Sequence, residues 1–184
     1  MHELILGGQK SGKSRCAEAR AADWLAAGDG REACLIATAL AGDGEMAERI
    51  ARHRADRAQR LPALATLEVP HALPEALLEH SVPQRLLVVD CLTLWLTQLR
   101  MPLAGPAVSD ADWLARQDAL CDALCAVRGP VVLVSNEIAL GLAPLGREGR
   151  QFVDALGLLH QRVAAVCERV TLMVAGLELP VKRP

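Results

Sequence analysis

Gly7-Gly8-Gln9-Lys10-Ser11-Gly12-Lys13-Ser14 fits G-x-x-x-x-G-K-[ST], the pattern of a phosphate-binding loop. Before it, Leu4-Ile5-Leu6 has the make-up of a short buried strand. After it, Cys16-Ala17-Glu18-Ala19-Arg20-Ala21-Ala22-Asp23-Trp24-Leu25 is rich in helix formers and holds no Gly or Pro. Strand, glycine loop and helix together give the pattern its mechanism. Backbone N–H groups close around phosphate oxygens, and the helix N-terminus adds partial positive charge. In such a loop Lys13 reaches the β- and γ-phosphates and the Ser14 hydroxyl holds Mg²⁺.

Working outward, Ala33-Cys34-Leu35-Ile36-Ala37 reads as a second buried strand ending at Thr38-Ala39, where a ligand could approach its carboxyl end. Gly42-Asp43-Gly44 opens a helix from Glu45 to about Arg57, and Thr66-Leu67-Glu68-Val69 is a short strand between prolines. Pro74 starts a brief helix to His80. Leu86-Leu87-Val88-Val89-Asp90 is four apolar residues ending in a carboxylate, the second element of a nucleotide site, and Asp90 would help hold Mg²⁺. Leu92 to Leu99 is helical. Ser109-Asp110 caps a long helix to about Val127, with Trp113, Leu114, Leu120, Cys121, Leu124 and Val127 at helical spacing. Val131-Val132-Leu133-Val134-Ser135 is the next strand and leads into Asn136-Glu137. The glycine-rich stretch 138–149 is a loop over the site, and Phe152 to Val166 is a helix. Val170-Thr171-Leu172-Met173-Val174 is a further strand, with Leu177 to Val181 returning by a hairpin through Ala175-Gly176. Alternating strands and helices predict an α/β fold, a mainly parallel sheet covered by helices, in a single domain 1–184.

The chain has 184 residues, 52% of them apolar, with one Phe and no Tyr, so the core is expected from Ala, Leu and Val. A net charge of −2 gives no reason to expect nucleic acid or an anionic membrane as partner. No apolar run reaches the ~18 residues of a membrane span, and Met1-His2-Glu3 lacks a basic signal-peptide start, so a cytoplasmic protein is expected. Six scattered cysteines read as reduced, small hydrophobes. Cys121 and Cys125, four apart on a helix, fit core packing better than a metal site.

A second chemical centre lies in 45–60, with five arginines and a histidine within twelve residues. Its bland reading is a solvated face with pairs such as Glu45–Arg49, Glu48–Arg52 and Asp56–Arg60. However, His53 follows Met46 and Ile50 at the edge of the buried face. An imidazole flanked by guanidinium groups suits attack on phosphorus, because the arginines neutralise a triphosphate's charge.

These residues together resemble the bifunctional adenosylcobinamide kinase/adenosylcobinamide-phosphate guanylyltransferase family of cobalamin synthesis. The resemblance rests on Leu6 to Arg15, Ile36-Ala37-Thr38, Glu45-Met46 with Arg49-Ile50 and His53-Arg54, and Thr66 to Pro70. It continues through Asp90-Cys91-Leu92-Thr93, Ser135-Asn136-Glu137 and Val174-Ala175-Gly176. It implies a RecA-like P-loop fold and a homotrimer. It also implies phosphorylation of adenosylcobinamide by ATP or GTP, then transfer of GMP from GTP to adenosylcobinamide phosphate through a histidine–GMP intermediate. By position His53 is the nucleophile. The implied nucleotide contacts are Gly7, Gly8, Gln9, Lys10, Ser11, Gly12, Lys13, Ser14, Arg15, Thr38, Ala39, Arg54, Ala55, Asp56, Arg57, Glu68 and Asp90, with Ser14 and Asp90 on Mg²⁺. Where the family often has Arg-Pro and a Trp, residues 57–65 have Leu61-Pro62 and no Trp, so either Arg57 or Arg60 stands for the family's arginine. His160-Gln161 replaces the family's usual Asn-Gln. Two other readings of the residues are a plain P-loop small-molecule kinase without covalent GMP, and a nucleotide-switched binding module.

Overall fold

The computed structural model describes residues 1–42 and 44–184, with side chains except at Glu45 and Arg49. Asp43, in the expected helix-opening turn, and the expected Glu45–Arg49 pair therefore lie outside the described residues. The elements run β1 (His2–Gly7), α1 (Lys13–Ala26), β2 (Glu32–Ala37), α2 (Gly44–Arg60), β3 (Leu64–Glu68), α3 (Leu73–His80), β4 (Arg85–Asp90) and α4 (Leu92–Arg100). There follow α5 (Asp110–Ala126), β5 (Val131–Asn136), α6 (Arg147–Val166), β6 (Arg169–Val174) and β7 (Leu177–Lys182). They form one seven-stranded sheet in the order β3-β2-β4-β5-β1-β6-β7.

Every neighbouring pair is parallel except β6–β7, which is antiparallel. The reason is legible in the strands. β4 and β5 are continuous apolar runs, buried at Leu86 to Val89 and Val131 to Ser135, as strands covered on both faces must be. β7, by contrast, is exposed at every residue.

On one face α1 lays Cys16, Ala17 and Ala21 against Ile5, Leu35, Val88 and Val132, and its small residues let the helix approach the sheet closely. On the other face Leu73 and Leu77 of α3 join residues of α4, α5 and α6 over Leu4, Val89 and Leu133. Here the expected Ala/Leu/Val core is supplemented by two indoles. Trp95 and Trp113 have ring centroids 5.5 Å apart, tilted by 55°. Trp95 satisfies its buried N–H by donating to the His71 carbonyl at 2.9 Å.

Ser109 caps α5 as expected, its hydroxyl accepting the Asp112 N–H at 3.1 Å. Leu114, placed by spacing among the buried positions, is 52% exposed instead. Cys121 is half-buried and Cys125 exposed, so packing explains only the first. α6 begins a turn earlier than Phe152, because Gly149 is tolerated inside its first turn. This shortens the expected loop to 137–146, where Leu140, Leu142 and Leu145 are almost fully exposed.

A small polar joint holds the lower edge of the sheet. Ser81, after α3, is buried, and its hydroxyl accepts the N–H groups of Arg128 at 2.9 Å and Gly129 at 3.0 Å. We expect Ser81→Ala to leave both donors without an acceptor and to lower stability by about 1–3 kcal/mol. The measure is a reduced urea midpoint at unchanged slope.

Candidate functional site

β1 ends at Gly7, flanked on both sides by parallel strands, and the site is built on that ending. The Gly7 carbonyl accepts the Glu137 N–H at 2.9 Å. With φ +152, a Cβ on Gly7 would lie 2.5 Å from the Met173 carbonyl oxygen and 2.6 Å from Ser11 Oγ. The loop then turns tightly, with Lys10 left-handed at φ 57 and the Ser11 N–H donating to the Gly8 carbonyl at 3.3 Å. The β6–β7 turn props it from the far side through Gly176 N–H to the Ser11 carbonyl, 3.0 Å.

Lys13 is the first residue of α1 and is buried, its Nζ donating to the Gly8 carbonyl at 2.6 Å. A folded-over ammonium and the first N–H groups of a helix, which have no acceptor within that helix, thus converge on one loop, the requirement for seating an anion. Gly8, Gln9, Lys10 and Arg15 are exposed around it.

Ser14, one residue on, donates to Asp90 Oδ2 at 3.2 Å. Burial pushes the Asp90 carboxyl above the ordinary carboxylate range, with the Ser14 hydrogen bond and the positive charges of His53 and Arg57 pulling the other way. A hydroxyl and a carboxylate brought together from loop and strand end are the oxygen donors that a hard divalent cation takes. The donor set fits Mg²⁺.

Thr38 has a different place from the one expected. It is fully buried, and its hydroxyl donates to the Cys91 carbonyl at 2.7 Å while accepting the Cys91 N–H at 2.9 Å. Its N–H donates to the Asp90 carbonyl at 3.1 Å. Thr38 therefore fixes the backbone that carries Asp90, and only the half-buried Ala39 beyond it faces partly outward.

On α2 the two candidate arginines separate. Arg57 is 7% exposed and lies close enough to Asp90 to act on its charge. Arg60 turns to α1, where Nε and Nη2 take both oxygens of the nearly buried Glu18 at 2.9 and 3.2 Å. Arg54 forms an ion pair with Glu68 of β3. His53 is exposed rather than at a buried edge, with Ala55 and Asp56 also exposed. α2 is therefore held to α1 and β3 by guanidinium groups and presents the imidazole outward.

A buried polar cluster beneath the loop 137–146 carries residues whose roles sequence reasoning missed. Ser135 Oγ is 3.0 Å from Thr93 Oγ1 and 2.7 Å from His160 Nε2, and Thr93 Oγ1 accepts the Asn136 N–H at 2.8 Å. His160 Nδ1 lies 3.8 Å from Glu137 Oε2, and Glu137 Oε1 accepts the Ala139 N–H at 2.7 Å. The one local signal was Ser135 itself, a hydroxyl ending a buried apolar strand. Burial lowers the His160 pKa, partly opposed by Glu137.

The sequence profile described as "Cobinamide kinase / cobinamide phosphate guanyltransferase" matches residues 3–181. The chain is 49% identical to "Bifunctional adenosylcobalamin biosynthesis protein CobP" of Pseudomonas aeruginosa, over 99% of this chain and 98% of that protein. It is 34% identical to "Bifunctional adenosylcobalamin biosynthesis protein CobU" of Salmonella typhimurium, over 97% and 98%. Among solved structures, the flagellar accessory protein FlaH of Methanocaldococcus jannaschii aligns with a TM-score of 0.52 at 12% identity, over 99% of this chain and 78% of that one. That likeness concerns the fold alone, which is of the RecA-like P-loop type.

His160 supplies a test of the buried cluster. Its folded-state pKa lies below the ordinary value of 6.5. Its contribution is therefore full above pH 6.5 and declines as pH falls from there toward the depressed value, because only the unfolded chain takes the proton. We expect the stability advantage of the wild type over His160→Asn to be smaller at pH 5.5 than at pH 7.5, read from urea midpoints. An advantage equal at both pH values would contradict a buried neutral imidazole.

Proposed function

The chain belongs to the cobinamide kinase / cobinamide phosphate guanyltransferase family, and we propose that it performs both reactions at one nucleotide site within a single unit spanning 1–184. The observation that carries this reading is that Ser14 of the phosphate loop is hydrogen-bonded to Asp90, whose carboxylate also feels the charges of His53 and Arg57 on the arginine helix. An ordinary kinase needs the loop and the carboxylate. It has no use for an outward imidazole on a helix tied down by arginines.

In the first reaction the loop 7–15 cradles the β- and γ-phosphates of ATP or GTP, and Lys13 neutralises oxygens at the γ end. The hydroxyl on the aminopropanol arm of adenosylcobinamide attacks the γ-phosphorus, the bridging bond to the β-phosphate breaks, and a nucleoside diphosphate leaves. Ser14 and Asp90 would hold Mg²⁺, which when bound supplies charge neutralisation between the phosphates. Asp90 must be ionised for this.

In the second reaction GTP lies with its α-phosphorus toward α2. A ring nitrogen of His53 forms a bond to that phosphorus and pyrophosphate leaves, kept in the loop by Lys13. Arg57 offsets the charge of the phosphate chain, and Arg54, paired with Glu68, fixes the helix beside it. An oxygen of adenosylcobinamide phosphate then attacks the same phosphorus, the P–N bond breaks, and His53 is regenerated with adenosylcobinamide-GDP as product. Ala39, Ala55, Asp56 and Glu68 line the path of the nucleoside along β2, α2 and β3. Thr38 acts through the backbone of Asp90 and Cys91. The working form we propose is a homotrimer.

Intact-mass spectrometry after incubation with GTP checks the covalent step. Wild-type protein is expected to gain one GMP, stable to base and lost in acid. His53→Ala is expected to gain none while still binding GTP. An unchanged increment in His53→Ala would remove His53 from the role. γ-Phosphoryl transfer with no increment in the wild type would leave only the kinase.

A further inference from the structure

Because β1 lies between β5 and β6, the phosphate loop has two flanks. Asp90, Arg57 and His53 all lie on the β5 flank, beyond which come β4 and β2. On the β6 flank is a separate cleft of about 460 Å³ between the first turn of α1 and the β6–β7 turn. Its lining includes Lys10, Arg15, Cys16, Met173, Gly176 and Glu178. None of the steps above uses it beyond the loop residues that it shares.

The lining has the chemistry of a base-binding slot. Met173 and Gly176 give it an apolar wall, and the close approach of Gly176 Cα to the space beside Gly12 leaves no bulk at the turn. Arg15 is exposed at the mouth, and a guanidinium plane stacks well on an aromatic ring. Glu178 is held ionised by Arg20, whose Nη1 lies at 3.2 Å, and Cys16 Sγ donates to it at 3.4 Å. A carboxylate so placed accepts from a ring amine. The thiol of Cys16 is itself pushed up to about 12 by burial, so it is no rival anion or nucleophile. The volume is within the roughly 300–1,000 Å³ of small-molecule sites, too small for a corrin with its side arms.

We propose that this cleft takes the purine nucleoside of the phosphoryl donor in the kinase reaction, so that the two reactions share one phosphate loop with the nucleoside on opposite flanks. The reason is geometric. Attack by His53 on the α-phosphorus draws the ribose and base of GTP toward α2. Transfer of the γ-phosphoryl group makes no such demand, and the acceptor hydroxyl then needs the flank that carries Asp90. A donor nucleoside in the β6-side cleft leaves that flank open. The inference rests on the phosphate-loop reading given above.

Photolabelling of the full chain with 8-azido-ATP tests it, with equilibrium dialysis of ATP in parallel. Trypsin is expected to release the label on peptides 170–182 or 16–20, protected by excess ATP. ATP binding with label only on α2 or β3 peptides, or with no label on these two, overturns the cleft assignment alone. Absence of ATP binding overturns the phosphate-loop reading and the cleft with it. Glu178→Trp, which fills the cleft, is expected to raise the KM for ATP in the kinase reaction about tenfold over Glu178→Gln, which leaves it open. Guanylylation of His53 by GTP is expected to stay unchanged in both variants, which also shows that they fold. Equal loss of both reactions in Glu178→Trp would overturn the proposal.

Discussion

The carboxyl edge of this sheet depends on the missing side chain at residue 7. Gly7 sits where β1 must pass its carbonyl to Glu137 on one side while its α-carbon faces the Met173 carbonyl and the Ser11 hydroxyl on the other. Any Cβ would meet the Met173 carbonyl, which pairing with β1 holds in register, so that collision has no flexible partner to absorb it. With hydrogen there, the chain reverses in a few residues and delivers Lys13 and Ser14 to the start of α1. Everything that the site assembles is measured from that reversal. Ser14 reaches Asp90 across β5, and the turn of the last hairpin closes on Ser11.

A second constraint works from the other end of the site. The Asp90 carboxylate is partly buried, and a charge withdrawn from water is held by specific partners. Ser14 gives a hydrogen bond, Arg57 gives charge, and Thr38 locks the peptide that carries the group. Arg57 can do this because its neighbours in the helix are occupied elsewhere, Arg60 with Glu18 and Arg54 with Glu68. The arginine-rich segment thus divides its labour by helical position. Arg60 and Arg54 make ion pairs that fasten the helix, Arg57 is buried near Asp90, and the imidazole of His53, one residue before Arg54, stays accessible.

Much of this was legible in the sequence because its causes are local. A glycine loop between an apolar strand and a helix, a serine cap before α5, and a two-residue turn between β6 and β7 are each set by residues within a few positions. The parallel α/β sheet follows from the alternation of such units. What was hidden depends on tertiary registration. Spacing on α2 could not separate Arg57 from Arg60, since only the position of α1 decides which one meets Glu18. Thr38 reads as a strand-end hydroxyl open to a ligand, yet Cys91, far along the chain, consumes both of its hydrogen-bonding capacities. Leu114 obeys the helical period and still faces outward, because periodicity reports a stripe without reporting how wide the covering layer is. The glycines near the start of α6 suggested a longer loop than the helix allows. The cluster of Thr93, Ser135 and His160 draws on three separate elements, so no local pattern announces it.

The placement of β1 also bears on how the chain reaches this fold during synthesis. The first strand made pairs only with β5 and β6, which are among the last elements to emerge. Until then Leu4 and Ile5, both fully buried in the end, have no sheet to enter. Pairings so distant in sequence pay their loop-closure entropy before any contact offsets it and form slowly. β2, β3 and β4 can associate first, as a three-stranded parallel unit with its own crossover helices. The phosphate loop, though written near the N-terminus, therefore depends for its flanks on strands made much later. A nascent or truncated chain lacking β6 would carry the whole G-x-x-x-x-G-K-S sequence and still have no loop to bind with.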